Sequence, residues 1–352
     1  MPLLRTALLS LLALLLGAAP AAAAPGFLGR GHDPGVAVDA AGTAHVAWLA
    51  RAGEAGSLEY CQVRRGTRRC ALRRSIGLPE DGFGKVQVLL RPGIVQIIAP
   101  LLRPAVLATS VDGGNTFALG TIGRETPAIE TAVYGPGDFI SLMSGSGPAS
   151  FGRFSADGNG PSNLPTTFGS ASESLETALA PWGSGLVAFF SGLLARSVLW
   201  NGLGDPNLQE SWVEGPRLGR ADDPRVVGGK SGTWVAYVRR GRGRTYVRRL
   251  RSSGRLGAER SLFRDAPFDL TFAQGPRGNM ALVFESGDSA LVVRSRDGRR
   301  WTRPRRLFRG NEPQDMRAAL GPRGGWLVWD ASAGNAGVHP IRIAALPGPP
   351  RR

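Results

Sequence analysis

One unit, an apolar run, a Gly-rich turn and a second apolar run, recurs seven times, and no other feature of this 352-residue chain limits its fold so strongly. The first copy is Val36–Trp48, turning at Ala41-Gly42. Later copies turn at Pro92-Gly93, Gly135–Gly137, Gly183 and Gly228-Gly229, and the last two share Gly-Pro-Arg-Gly at 275–278 and 321–324. Aligned on Ala47, Ile98, Ser141, Ala188, Ala236, Val283 and Val328, the steps are 51, 43, 47, 48, 47 and 45 residues. Four antiparallel strands of about six residues with short turns need roughly that length, which is one propeller blade. The repeat therefore predicts an all-β, seven-bladed β-propeller of four-stranded antiparallel blades over residues 25–345. The 50 glycines and 26 prolines suit many strands joined by tight turns.

The ends have their own chemistry. Arg5, an uncharged run from Ala7 to Leu16 and the small residues Ala18–Ala24 read as a secretory signal peptide over residues 1–24, cleaved near Ala22–Ala24. The run is shorter than the ~20 residues a membrane-spanning helix needs. The expected product is secreted, extracellular or periplasmic, monomeric and without a membrane span or cofactor. Residues 346–352 read as a flexible Pro/Arg-rich tail. Export favours oxidation, and Cys61 and Cys70 flank the hairpin turn Arg65-Gly66, so a Cys61–Cys70 disulfide is expected between directly opposed positions about 4.5 Å apart at Cα.

A second local pattern lies where the third and fourth strands of a unit meet. Ser110, Asp112, Gly114 and Phe117 stand in the order S-x-D-x-G-x-T-F, and Ser295, Asp297 and Trp301 form a shorter version. Ser155-Ala156-Asp157-Gly158 lacks the aromatic and Ser252-Ser253-Gly254 lacks the acid. A short carboxylate and a hydroxyl can bond the backbone of a tight turn, while Gly supplies positive φ and the aromatic packs below. The pattern resembles the Asp box (BNR repeat) of sialidases and related propellers. That resemblance implies a propeller whose boxes lie on the face away from the active site. The enzymes themselves have six blades as a rule, an arginine triad, an Asp acid/base and a Tyr nucleophile with a Glu partner. No Arg-Ile-Pro motif occurs here, and Tyr60, Tyr134, Tyr237 and Tyr246 all precede the last two units. The expectation is thus a non-catalytic module binding a glycan, peptide or protein ligand. The alternative is a sialidase-like glycoside hydrolase or lyase.

Acids recur where the chain enters the first strand of a unit: Asp33, Asp81, Glu130, Glu176, Asp222, Asp223, Asp265, Glu312 and Asp315. They can form a ring holding a cation, or a carboxylate pair for acid/base work on a glycoside. Equally, Asp before Pro at 33–34 and 223–224 can simply make a turn. With Arg225 and Arg317 in first strands, the candidate ligand set is Asp33, Asp222, Asp223, Arg225, Asp265, Asp315 and Arg317. His32, His45 and His339 show no metal-ligand spacing. Formal net charge is +16, and apart from Lys85 and Lys230 the 43 basic residues are arginine. Seven arginines crowd Arg239–Arg251, and Arg299, Arg300, Arg303, Arg305 and Arg306 follow. Were the fifth and sixth units neighbours, these would merge into one flank for an anionic surface polymer.

Overall fold

The computed structural model describes residues 24–348 except 53–54, 83, 102–103, 124–128, 145–148, 162–163, 169–175, 192–194, 268, 311–312 and 332–338. The expected signal peptide, apart from Ala24, and residues 349–352 of the expected tail lie outside the described residues.

Strands and turns make up most of the described residues, as the alternation of apolar runs with Gly-rich turns requires. Five discrete four-stranded antiparallel sheets span residues 87–122, 129–168, 177–214, 222–263 and 270–309. Their turns fall at the expected glycines. The sixth sheet has seven strands, in the order Pro313–Gly321, Gly324–Ala331, His339–Leu346, Gly26–Val38, Ala44–Ala52, Ala55–Val63 and Leu72–Gly77. The fold is thus a β-propeller of four-stranded blades, but with five separate blades rather than the expected seven. The physical reason is one 13-residue strand, Gly26–Val38. Its first half, Gly26–Gly31, pairs with His339–Leu346, and its second half, His32–Val38, pairs with Ala44–Ala52. Backbone hydrogen bonds therefore run unbroken from the last strands of the chain into the first.

Within each sheet the innermost strand touches the innermost strand of the next. Gly26–Val38, Gln87–Arg91, Ile129–Tyr134, Thr177–Trp182, Asp222–Val227, Leu270–Gln274 and Pro313–Gly321 follow one another in a closed cycle. Apolar clusters fill the space between neighbouring sheets; Leu186 and Ala188, for example, pack against Met143 and Phe151 of the sheet before. One cluster lies within the seven-stranded sheet, where Trp326, Val328 and Ile343 meet Val46, Trp48 and Val63. Trp326 also donates from Nε1 to Gly42 O at 3.1 Å.

The turn at 110–117 is built as its residues suggest. Ser110 Oγ donates to Asp112 Oδ1 (2.7 Å) and accepts from Gly114 N (2.7 Å), while Asn115 N and Thr116 N donate to Asp112 Oδ1 (2.9 and 3.0 Å). Gly114 has φ 97°, and a Cβ there would lie 2.3 Å from Tyr60 Oη, so any other residue would be strained and would have to displace the Tyr60 ring. Phe117 meets Tyr60 edge-on at 5.0 Å between ring centroids. At 295–301, Gly298 N donates to Ser295 Oγ (2.8 Å), Arg299 N to Asp297 Oδ1 (2.8 Å), and Trp301 Nε1 to Gly298 O (2.9 Å).

Cys61 and Cys70 are bonded, with Cα atoms 5.4 Å apart. Their register differs from the expected one. Thr67 N closes the turn onto Arg64 O, but Ala71 N already bonds Gln62 O, and Cys61 stands opposite Arg73. Extra residues on the second arm place Cys70 ahead of strand Leu72–Gly77, so the bridge spans the hairpin diagonally.

Where Gly26–Val38 passes from one pairing partner to the other, the chain is tightest. A Cβ on Gly31 would lie 2.1 Å from Leu49 O and 2.4 Å from Trp48 Cδ1. Gly31→Ala should destabilise the fold by about 2 kcal/mol or more through overpacking against backbone that cannot yield. Urea denaturation would measure this, with Gly66→Ala in an open turn as the comparison: its loss should be smaller, about 1 kcal/mol, from positive φ alone.

Candidate functional site

Three of the inner strands carry the same irregularity. The register slips by one residue between His32 and Gly35, between Asp222 and Arg225, and between Gln314 and Arg317. In each bulge an aspartate takes a left-handed conformation: Asp33 (φ 53°), Asp223 (φ 50°) and Asp315 (φ 45°). Asp tolerates this region better than most residues, and a bulge re-aims the side chains around it. Two residues after each aspartate stand Gly35, Arg225 and Arg317.

These positions line a cavity of about 300 Å³ in the central channel, to which all seven innermost strands contribute. Its charged lining is Lys85, Glu130, Arg225 and Arg317. Every cation has an acid beside it. Lys85 Nζ is ion-paired with Glu130. Arg225 meets Asp223 Oδ1 at 2.5 Å and donates from Nε to Leu270 O at 2.8 Å on the next sheet. Arg317 donates to Met316 O (2.8 Å) and lies in the field of Asp315 and Asp33. The exposed edges of inner strands are tied together similarly, Met316 N bonding Asp269 Oδ2 (2.6 Å) and Ala318 N bonding Thr271 Oγ1 (3.1 Å).

Burial sets the carboxylates apart. Desolvation pushes Asp223 up, Glu176 adds to the shift, and only the Arg225 guanidinium opposes it. Asp315 is also raised by burial, against Arg317 and with Asp33 and Asp269 repelling it. Burial works against ionisation of Asp33 too, but the hydrogen bond and charge of His32, whose Nδ1 lies 2.9 Å from Asp33 Oδ2, hold it below its ordinary value. Asp330, on the second strand Gly324–Ala331, is pushed up to about 7 by burial and by the charges of Asp315 and Asp33. It is 3% exposed, and its Oδ1 has no hydrogen-bond partner among the described residues.

Of the sequence-derived residues, Arg225 and Arg317 line the cavity while Asp33, Asp223 and Asp315 stand behind it. Asp222 instead points outward, 3.7 Å from Arg240. Asp265 lies in the preceding loop, accepting from Ala266 N (2.8 Å), and the inner position in that sheet belongs to Asp269. Glu312 lies outside the described residues. Lys85 and Asp330 were not among the candidates. An acid closing the apolar run Gly324–Ala331 was the available signal for Asp330. His45 is buried, bonded to Tyr60 Oη (2.7 Å) and facing Asp39. Among the described residues no group of three or more His, Cys, Asp or Glu is placed to hold a metal ion.

The expected single arginine flank is divided. Arg239–Leu250 is a hairpin, so Arg239 and Arg240 sit at the channel-mouth end of their sheet and Arg249 and Arg251 at the opposite end, because the two strands run antiparallel. Arg239 is ion-paired with Glu259 at 2.7 Å.

No protein-family model and no curated protein matches this sequence. Solved structures do resemble it in fold. The WD40 domain of Toxoplasma gondii coronin has TM-score 0.54 at 9% identity, over 92% of this chain and 85% of that one. The polysaccharide lyase Uly1 gives 0.53 at 9% identity, over 90% of each chain. YCF48 bound to D1 peptide gives 0.50 at 14% identity, over 93% of this chain and 99% of that one. The fold is a β-propeller. At these identities the likeness extends to the propeller fold alone. The disulfide is compatible with an extracellular location. Among the described residues no helix is long and apolar enough to cross a membrane.

Because Asp330 binds its proton more tightly folded than unfolded, its burial costs nothing below the unfolded value near 3.8 and progressively more as pH rises through about 7. Asp330→Asn should therefore gain stability relative to the parent as pH is raised from about 4 to 8. Thermal melts of both proteins across that range check this; a constant difference would remove the assigned proton.

Proposed function

We propose that this chain is an exported, non-catalytic binding propeller of sialidase-like Asp-box type, which receives an acidic group of a glycan, peptide or protein ligand in the mouth of its channel. Counting the seven-stranded sheet as two blades that share Gly26–Val38 gives seven blades. The closed cycle of inner strands and the apolar cluster between the two halves of that sheet support this count. The Ser/Asp turns at 110, 155 and 295 support the Asp-box reading, and the apolar run before Ala24 with the disulfide supports export.

The observation that carries the binding proposal is the cavity lining. Lys85, Arg225 and Arg317 reach it, three cations against the one lining acid, Glu130, which pairs with Lys85; Asp223 stands one step back and holds Arg225 in place. A carboxylate or sulfate entering there meets preorganised donors in a water-poor setting, where charge-assisted bonds are strongest. The volume, near the lower end for small-ligand pockets, suits one sugar or one side chain.

A second reading, a glycoside hydrolase or lyase, draws on one observation: Asp223 and Asp330 are acids held protonated further up the pH scale than usual, as a general acid requires. Incubating the protein with an array of acidic and neutral glycans and with peptides separates the two. Binding proposed here predicts retention with no loss of ligand mass, weakened about tenfold or more by Arg317→Ala while the variant remains folded. Specific cleavage, abolished by Asp223→Asn or Asp330→Asn, would establish the enzyme instead.

A further inference from the structure

On the face opposite the channel mouth, where the first-to-second and third-to-fourth strand turns lie, two hollows join into one groove. The first, about 460 Å³, is lined by Arg249, Arg251, Arg260 and Arg299 with Ser252 and Trp234. The second, about 350 Å³, shares Arg249 and Ser252 with it and continues to Asn201, Ser184 and Trp182. The groove thus crosses three neighbouring sheets.

Its four arginines are exposed, and none takes part in the ion pairs formed among the described residues. Backbone contacts fix where they stand. Arg299 sits in the turn whose amide bonds Asp297, and Arg260 donates to Arg299 O, tying one sheet to the next. Arg251 O accepts from Trp182 Nε1 at 3.1 Å, tying the third sheet in. The arginines are therefore grouped by the fold although none of them forms a salt bridge among the described residues; Asp297 acts on the Arg299 guanidinium only through its field.

We infer that this groove binds an acidic polysaccharide, a chain bearing sulfate or carboxylate groups at intervals. Guanidinium forks match such groups bidentately, and several held in one groove release counterions together when the chain docks. Asn201, Ser184 and Ser252 supply polar contacts for sugar hydroxyls between the charges. Single-stranded nucleic acid would need aromatic faces for its bases. Trp234 is 4% exposed, its ring covered by Gly298, which leaves Trp182 as the aromatic side chain with open surface in the lining. The site is separate from the channel and does not depend on what the channel binds.

The test uses the full chain with three immobilised probes, heparin, polygalacturonate and dextran, and a single-stranded oligonucleotide in solution. Binding to heparin or polygalacturonate but not dextran is expected, weakening steeply with salt. Replacing Arg249, Arg251, Arg260 and Arg299 together by Gln should lower it about tenfold or more and flatten the salt dependence. Replacing Arg64, Arg65, Arg69 and Arg264 by Gln removes the same charge elsewhere and should change binding less than about twofold. Should the fourfold groove variant fail to fold, Arg251→Glu alone, in an exposed turn, should give a clear loss. Equal losses from both fourfold variants, tighter binding of the oligonucleotide than of either acidic glycan, or no binding to any probe would each overturn the proposal.

Discussion

Strand Gly26–Val38 is the constraint on which the rest depends. A chain of sheets arranged in a circle has two loose ends, and each would expose unpaired backbone groups and one apolar face. Here Gly26–Gly31 hydrogen-bonds the last strand of the chain while the following residues begin the first sheet. One strand thereby removes both ends and brings Trp326 and Ile343 against Trp48. The glycines at 29, 31 and 35 allow this, since side chains there would collide with Trp48, Leu49 O and Val86 O.

Closure also creates the channel. The inner strands keep one edge free of a backbone partner, and side chains from the neighbouring sheet satisfy it, as Asp269 does for Met316 and Arg225 for Leu270. Charges drawn into so enclosed a space must be paired or give up their charge. Both happen. Arg225 is held by Asp223 and Lys85 by Glu130, whereas Asp330, with no salt bridge among the described residues and burial outweighing the charge of His32, is driven toward its neutral form. On the opposite face solvent permits the reverse arrangement, four arginines side by side with no salt bridge among the described residues.

Much of this was legible in the chain because a repeat carries its own spacing. The turn glycines, the Ser/Asp turns and the placement of Asp33, Asp223 and Asp315 before first strands can all be read from local chemistry. The shared strand could not, because Gly26–Gly31 has too few apolar residues to look like a strand, and its partner lies more than 300 positions away. The Cys61–Cys70 pairing was legible but its register was not, because Arg68–Ala71 adds residues that no turn rule requires. In the sixth unit Asp265 and Asp269 fit the same pattern, and only the tertiary contact with Met316 N separates them. Asp330 was hidden inside an apolar run, where its neighbours determine its protonation and its own sequence context does not.

The most direct test of ring closure is native-state hydrogen exchange of the full chain. If Gly26–Val38 and His339–Leu346 close the ring, their amides should exchange only through the same global opening as the central strands Leu186–Phe190 and Leu282–Phe284, with equal free energies. Exchange of both end segments through a local opening at markedly lower free energy, while the five discrete sheets stay protected, would contradict closure by this strand.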